Sequence, residues 1–262
     1  MSDRVRSRRV LILGGTGEAR DLARLLAAAD VPFVSSLAGR VRNPRLPVGE
    51  VRIGGFGGVD AMAEWLTDNG ITDVVDATHP FAARITPHAV SASRTAGVRY
   101  LRLARPAWEQ GAGDRWVRVP DIDAAADAVA VRGGRVMLTT GRQDVAAFAA
   151  IRDAWFLIRV VDEPDGAMPP QRIVLRSRGP YGIDDERRLL RDHRIELLVT
   201  KNSGGAMTAA KLRAAAELGI EVIVVDRPAE PEDVDTAGTA ADAADAILDG
   251  PPVADGQYRR GV

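Results

Sequence analysis

Short β-branched apolar runs alternate with helix-period segments along almost the whole of this chain. In the first half, residues 10–13, 31–35, 50–53, 73–77 and 99–103 predict strands, and 18–29, 59–69 and 82–96 predict the helices between them. Leu22, Leu25 and Leu26 recur at helical spacing and place one apolar stripe against the sheet. The second half repeats the alternation, with strands at 116–119, 135–138, 155–160, 196–199 and 221–225. Its helices are expected at 122–131, 145–151, 184–192, 206–218 and, last, near 239–248. Alternation of this kind makes a parallel sheet covered by helices, so the fold class is α/β.

Between Ala104 and Asp121 the pattern lapses into a Pro- and Gly-rich stretch, which divides the chain into domains at 1–110 and 111–262. VLILGGTGEARDLARLL in one half and VMLTTGRQDVAAFAAI in the other both run strand, Thr-Gly turn, helix, so the two halves are related α/β units. The length of 262 residues suits two compact domains, and 46% apolar content can fill their cores. A net charge of −1 offers no global field for a polyanion, so nucleic acid is not expected as a partner. With no cysteine and only three histidines (His79, His88 and His193), neither disulfides nor a metal site is expected. No apolar run approaches the ~18 residues of a membrane span and no signal peptide is evident, so the expected location is cytoplasmic, with no membrane partner. Of the 35 basic residues only Lys201 and Lys211 are lysine, a bias of genome composition that makes arginine as such weak evidence.

The strongest local signal is the turn Gly14-Gly15-Thr16-Gly17, with Glu18 and Ala19 opening the helix behind it. Glycines let the backbone turn tightly and let a pyrophosphate come close, and free helix N–H groups favour the anion. A merely tight turn would also use these glycines; the strand before and the helix after favour a nucleotide phosphate. About twenty residues on, where a carboxylate holds the ribose of NAD, this chain has Ser35, Ser36 and Arg40 instead. Two hydroxyls and a cation suit the 2′-phosphate of NADP, although a Ser-rich loop with solvated arginines has the same composition. A third strand end carries Asp76-Ala77-Thr78-His79-Pro80. It is either a helix start capped by Thr78 or a place where His79 meets the nicotinamide or the substrate.

Two strand ends of the second half look built for anions: Thr139-Thr140-Gly141-Arg142, and Thr200-Lys201-Asn202-Ser203-Gly204-Gly205. Arg178-Gly179-Pro180-Tyr181 adds a further positive turn. Caps or solvated loops are the alternative for each. No Tyr-x-x-x-Lys and no GxxxxGK[ST] occur, which argues against a short-chain dehydrogenase and a P-loop ATPase.

Taken in order, GGTGEARDLA, SSLAGR, DATHPFA, LTTGR, RGPY and VTKNSGG resemble the precorrin-6A reductase family of cobalamin biosynthesis, over nearly the whole chain. The resemblance implies two Rossmann-like domains with the active site in the cleft, with exchange of a strand between them allowed. It implies NADPH-dependent reduction of one double bond of a tetrapyrrole, hydride to C19 and proton to C18, without metal or flavin. Cofactor contacts then fall to Gly14, Gly15, Thr16, Gly17, Glu18, Ala19, Ser35, Ser36, Arg40 and Thr78. The carboxylates around the macrocycle fall to Gly141, Arg142, Arg178, Thr200, Asn202, Ser203 and Gly204. His79 and Lys201 are the catalytic candidates, and the product can be handed to the next enzyme of the pathway. A non-catalytic NADP-binding sensor would keep the glycine turn but has no need of the second-half anion turns. A reductase of another polyacid, cobalt-precorrin-6A included, would differ only in what it turns over.

Overall fold

The computed structural model describes residues 8–39 and 45–250, and its contacts divide the chain into two units. The first contains the residues up to Arg105 together with those from Pro228 onward; the second is Pro106–Arg227. Each holds one six-stranded, all-parallel sheet.

In the first unit the chain runs β1 (Val10–Leu13), α1 (Gly17–Ala28), β2 (Phe33–Leu37), β3 (Glu50–Ile53), α2 (Val59–Asp68), β4 (Asp73–Asp76), α3 (Ile85–Ala96) and β5 (Arg99–Leu103). The second unit runs β6 (Arg115–Val119), α4 (Ile122–Arg132), β7 (Gly134–Leu138), a 3-10 turn (Val145–Phe148), β8 (Ala154–Val160), β9 (Arg172–Arg176), α5 (Ile183–Asp192) and β10 (Leu197–Lys201). It closes with a second 3-10 turn (Ala206–Thr208), α6 (Ala210–Glu217) and β11 (Glu221–Val225). The chain then returns to the first unit with β12 (Asp235–Ala237) and α7 (Ala240–Asp249).

The strand orders are β3-β2-β1-β4-β5-β12 and β9-β8-β7-β10-β11-β6. Both are the 3-2-1-4-5-6 order of doubly wound dinucleotide-binding sheets. The sixth places are exchanged: β6 follows β5 in the chain but pairs with β11, and β12 follows β11 but pairs with β5. The final strand and helix therefore pack with the first unit, whereas a division at residue 110 assigns them to the second. Ala104 N–H donates to Ala237 O at 3.0 Å, and the Arg99 guanidinium donates to Ala246 O at 2.7 Å. Ala243, Ala244 and Ile247 share one apolar cluster with Leu22, Ala23 and Leu26 of α1.

Local sequence explains most elements. Thr16, Asp121 and Thr239 cap α1, α4 and α7, the last in a capping box with Asp242. β1 is buried along its whole length because helices cover both faces, which is why VLIL is continuously apolar. In α1 the buried face is Ala19, Leu22, Ala23 and Leu26, each leucine contributing about 1.5–3 kcal/mol. Leu25 is 40% exposed, so the stripe is narrower than the leucine spacing suggests.

Four elements differ from the periodicity. The helix expected at 145–151 is a single 3-10 turn, and the one expected at 206–218 becomes α only from Ala210. β9 and β12 were not visible in the pattern: β9 is a half-exposed edge strand, and β12 is three residues long with one buried side chain.

Candidate active site

In each unit the chain reverses direction in the sheet between neighbouring strands, β1 and β4 in one and β7 and β10 in the other. Open α/β sheets bind ligands at such switch points.

The first switch point is a glycine turn tied to its neighbours by backbone groups and one threonine hydroxyl. Thr16 Oγ1 accepts from Ala19 N–H at 3.1 Å and donates to Ala77 O at 2.7 Å, while Ala77 N–H donates to Leu13 O at 2.9 Å. The glycine turn after β1 is thereby locked to the loop after β4. A side chain at Gly14 would press on Leu37 at 3.3 Å, so this glycine serves close packing of turn and strand. Gly15, at φ 114°, has nothing within 4 Å of a would-be Cβ and leaves open space over the turn. The leading N–H groups of α1 lack intrahelical partners. Glu18 in that first turn is paired with Arg105 at 2.8 Å, so its charge does not stand alone at the helix start.

Ser35 and Ser36 lie inside β2, which extends to Leu37, and both are buried. Ser35 Oγ has no hydrogen-bond partner among the described residues. Ser36 Oγ accepts from Arg52 Nη1 at 2.9 Å across the β2–β3 ladder. Arg52 also donates to Gly54 O and Gly55 O and lies 3.8 Å from the Phe56 ring centroid. Arg40 lies outside the described residues.

At the end of β4, Asp76 is fully buried and saturated. Oδ1 accepts from Thr78 N–H (3.0 Å), Thr78 Oγ1 (2.6 Å) and Arg102 Nη1 (3.2 Å), and Oδ2 from Thr86 Oγ1 (2.7 Å) and Tyr100 OH (3.0 Å). Arg102, also buried, holds Glu230 with its Nε at 2.9 Å. Desolvation alone would lower the Arg102 pKa, but Asp76 and Glu230 outweigh it and raise it. Burial, then the Asp76 charge, pushes the Tyr100 phenol far above its ordinary value. Thr78 therefore does not cap a helix: its hydroxyl belongs to Asp76, and α3 begins only at Ile85. His79 Nδ1 accepts from Phe81 N–H at 3.2 Å, which leaves Nε2 to carry the proton of the neutral ring. Arg102 and Glu230 also line a cavity of about 510 Å³, with Pro80 and Pro87, Val90 and Arg94 of α3.

The second switch point is built from side chains. Thr139 N–H and Oγ1 both donate to Val199 O, at 2.9 and 3.0 Å, tying the turn after β7 to β10. Across that junction Lys201 Nζ pairs with Asp144 at 2.5 Å. Gly141, at φ 98°, is open around its would-be Cβ; Arg142 pairs with Asp165 at 2.7 Å. Thr200 is buried, and its hydroxyl donates to Lys201 O at 3.3 Å.

Asn202 and Gly204 are engaged within the unit. The Asn202 amide accepts from Trp108 N–H at 2.8 Å and donates to Trp108 O at 3.1 Å. A Cβ on Gly204 would fall 2.1 Å from Pro106 O. Arg227 Nη2 donates to Ser203 O at 3.1 Å. Arg178 is exposed, in a turn whose Tyr181 ring lies 4.0 Å under the guanidinium of buried Arg159, which pairs with Glu186 at 2.6 Å.

Arg52, Arg102, Arg159, Glu186, Glu230 and Asp144 are the polar groups that motif reading missed. For the three arginines a signal existed: each interrupts an apolar run near the carboxyl end of a strand (EVRI, RYLRL, AWFLIRV).

Rossmann strand order in both sheets, with polar turns gathered at both switch points, defines an α/β enzyme of two dinucleotide-fold units. The model of the precorrin-6x reductase CbiJ/CobK family matches residues 9–247. Precorrin-6A reductase of Rhodococcus erythropolis is 52% identical, the match covering 90% of this chain and 95% of that one. The Mycobacterium tuberculosis enzyme of the same name is 57% identical over 89% and 92%. A solved structure of CobK precorrin-6A reductase superposes with a TM-score of 0.87 at 42% identity, covering 92% of this chain and 96% of that one. The chain belongs to the precorrin-6x reductase CbiJ/CobK family; it is an oxidoreductase of cobalamin biosynthesis that acts on precorrin-6A. Among the described residues no helix is long and apolar enough to cross a membrane, and no group of three His, Asp or Glu is placed to hold a metal.

Proposed function

We propose that the chain reduces one double bond of precorrin-6A with NADPH, hydride going to C19 and a proton to C18 to give precorrin-6B. The observation that carries the cofactor reading is the glycine turn locked at the β1–β4 switch point, open over Gly15 and backed by the start of a twelve-residue helix. NADPH, when bound, supplies the hydride from C4 of its nicotinamide. The residues present fit that dinucleotide: a glycine cradle for the pyrophosphate, a buried Ser35 hydroxyl lacking a partner, and no carboxylate at the end of β2.

Residues from Gly14 to Ala19 hold the pyrophosphate, Ser35, Ser36 and Arg40 hold the ribose end, and Thr78 fixes the loop beside them. Arg142, Arg178 and Lys201 bind carboxylates of the macrocycle, aided by the open backbone at Gly141 and the hydroxyls of Thr200 and Ser203. Asn202 and Gly204 shape that turn through Trp108 and Pro106. Two groups stand ready to deliver the proton: His79 Nε2, whose tautomer Phe81 sets, and Lys201 Nζ, which Asp144 orients. Holding the reactants in register is worth ~7–11 kcal/mol in favourable cases.

The test is nicotinamide oxidation with precorrin-6A as acceptor, NADPH against NADH. Deuterium on nicotinamide C4 should appear at C19, and deuterium from solvent at C18, with NADPH strongly preferred. Tight NADPH binding without macrocycle-dependent oxidation would overturn the reductive role in favour of a nucleotide sensor. His79→Ala and Lys201→Ala then separate the proton donors, since only loss of the true donor abolishes the pH profile of kcat.

A further inference from the structure

Half-buried Arg52 differs from the fully buried arginines among the described residues. Arg102 and Arg159 each face a carboxylate. Arg52 faces none among the described residues. Its Nη1 donates to Ser36 Oγ at 2.9 Å and Gly54 O at 3.2 Å, and its Nη2 to Gly55 O at 3.0 Å. The guanidinium lies 3.8 Å from the centroid of Phe56 and 5.3 Å from that of Trp65, two rings that meet edge to face. A guanidinium has five N–H donors. Three are taken, and Nε–H and one Nη2–H have no partner among the described residues. Burial against the rings lowers the Arg52 pKa, with no negative charge to offset it. The result is a cation held rigidly by neutral groups, an arrangement that gains most when an anion arrives.

Its location selects the anion. Arg52 and Ser36 are register partners on adjacent strands, and Ser36 O accepts from Gly14 N–H at 2.9 Å, so the cation stands one strand from the glycine turn. The end of the second strand is where dinucleotide folds inspect the 2′ position of the adenosine ribose. Because Ser36 Oγ accepts from Arg52, its own hydrogen remains to be donated.

We propose that Arg52, together with Ser36, binds a phosphate monoester at the ribose 2′ position and is the residue that makes this chain choose NADPH over NADH. This rests on the NADPH reading above. It adds a residue from β3 to a pocket assigned from sequence to Ser35, Ser36 and Arg40 alone.

Titration of the full chain with 2′,5′-ADP and with 5′-AMP, which differ only in the 2′-phosphate, tests the assignment by calorimetry. The unaltered chain should prefer 2′,5′-ADP, and added salt should weaken that ligand more than 5′-AMP. Arg52→Gln should lower affinity for 2′,5′-ADP about 10- to 100-fold, the range for one charge-assisted contact, and leave 5′-AMP within about twofold. Ser36→Ala should give a smaller loss in the same direction. Arg52→Lys keeps the charge and the ring contact without the planar fork, and should fall between the two if Arg52→Gln does not fold. Variants at Arg52 that retain the original ratio of the two affinities would overturn the role of this residue. An unaltered chain with no preference between the ligands would overturn the NADPH reading itself, a separate failure.

Discussion

The two switch points have the same topology and opposite chemistry. In the first unit the turn after β1 is glycine-rich, is followed by a twelve-residue helix, and is tied down by backbone groups and the Thr16 hydroxyl. In the second, the matching turn after β7 has one glycine where the first has three, and a four-residue 3-10 turn follows it. Such a short element has little macrodipole to offer. What the second unit presents instead is side chains: Arg142 and Lys201, each oriented by an aspartate at 2.7 and 2.5 Å. A backbone cradle suits a diphosphate of fixed shape. Long cations on carboxylate tethers suit acidic arms spread around a macrocycle, where reach matters more than close approach. One strand order thus carries two differently built turns, and the difference lies in whether a helix starts at the turn.

The largest effect should come from the buried network that supports the first unit. Asp76→Ala would leave Arg102 buried with one carboxylate fewer and Tyr100 and Thr86 without an acceptor, a loss of about 3–5 kcal/mol in urea unfolding. Asp144, whose side chain is 20% exposed and meets one cation, should cost less when changed to asparagine, about 1–3 kcal/mol. Equal losses would erase the contrast between a structural network and an orienting tether. Next in size, Lys201→Ala should raise the KM for precorrin-6A about 10- to 100-fold and leave NADPH binding unchanged. A normal KM would remove Lys201 from the substrate site.

Gly15→Ala and Gly141→Ala sharpen the contrast directly, because both glycines have positive φ and open surroundings. Each should cost about 1–3 kcal/mol of local strain. Only Gly15→Ala should weaken nucleotide binding as well, and an equal nucleotide defect in Gly141→Ala would contradict the division of labour. The smallest effect is expected at the exposed pair of Arg187 and Glu217, between α5 and α6. The hydrogen bond from Arg187 holds the Glu217 carboxyl below its ordinary range, so its contribution is present above the unfolded carboxylate pKa and disappears as pH falls through the lowered folded value. Glu217→Gln should therefore shift the melting temperature slightly at neutral pH and not at all in acid. A large or pH-independent shift would show that the pair is more than a surface contact.

Most strands were legible in the sequence because burial on both faces makes them continuously apolar, as in VLIL and EVIVV. The glycine turn was legible because its signal is local: strand, glycines, helix. The arginines inside strands were harder to read. In a chain whose basic residues are almost all arginine, Arg52, Arg102 and Arg159 stood out only by interrupting apolar strands, and their partners are distant in sequence; Glu230 is 128 positions from Arg102. β12 was invisible because Asp-Thr-Ala has no apolar period, and it is a strand only because β5 offers an open edge.

By itself, then, the sequence determined the α/β class, the glycine- and hydroxyl-rich turns at the strand ends, and the absence of thiol chemistry, since these follow from periodicity, turn residues and composition. Only the tertiary structure decided that β6 and β12 exchange sheets, that a helix start stands behind one turn and not the other, and which arginines are paired. Strand pairing and ion pairing are satisfied by whatever group lies nearest in space, and for these residues the nearest group is far away along the chain.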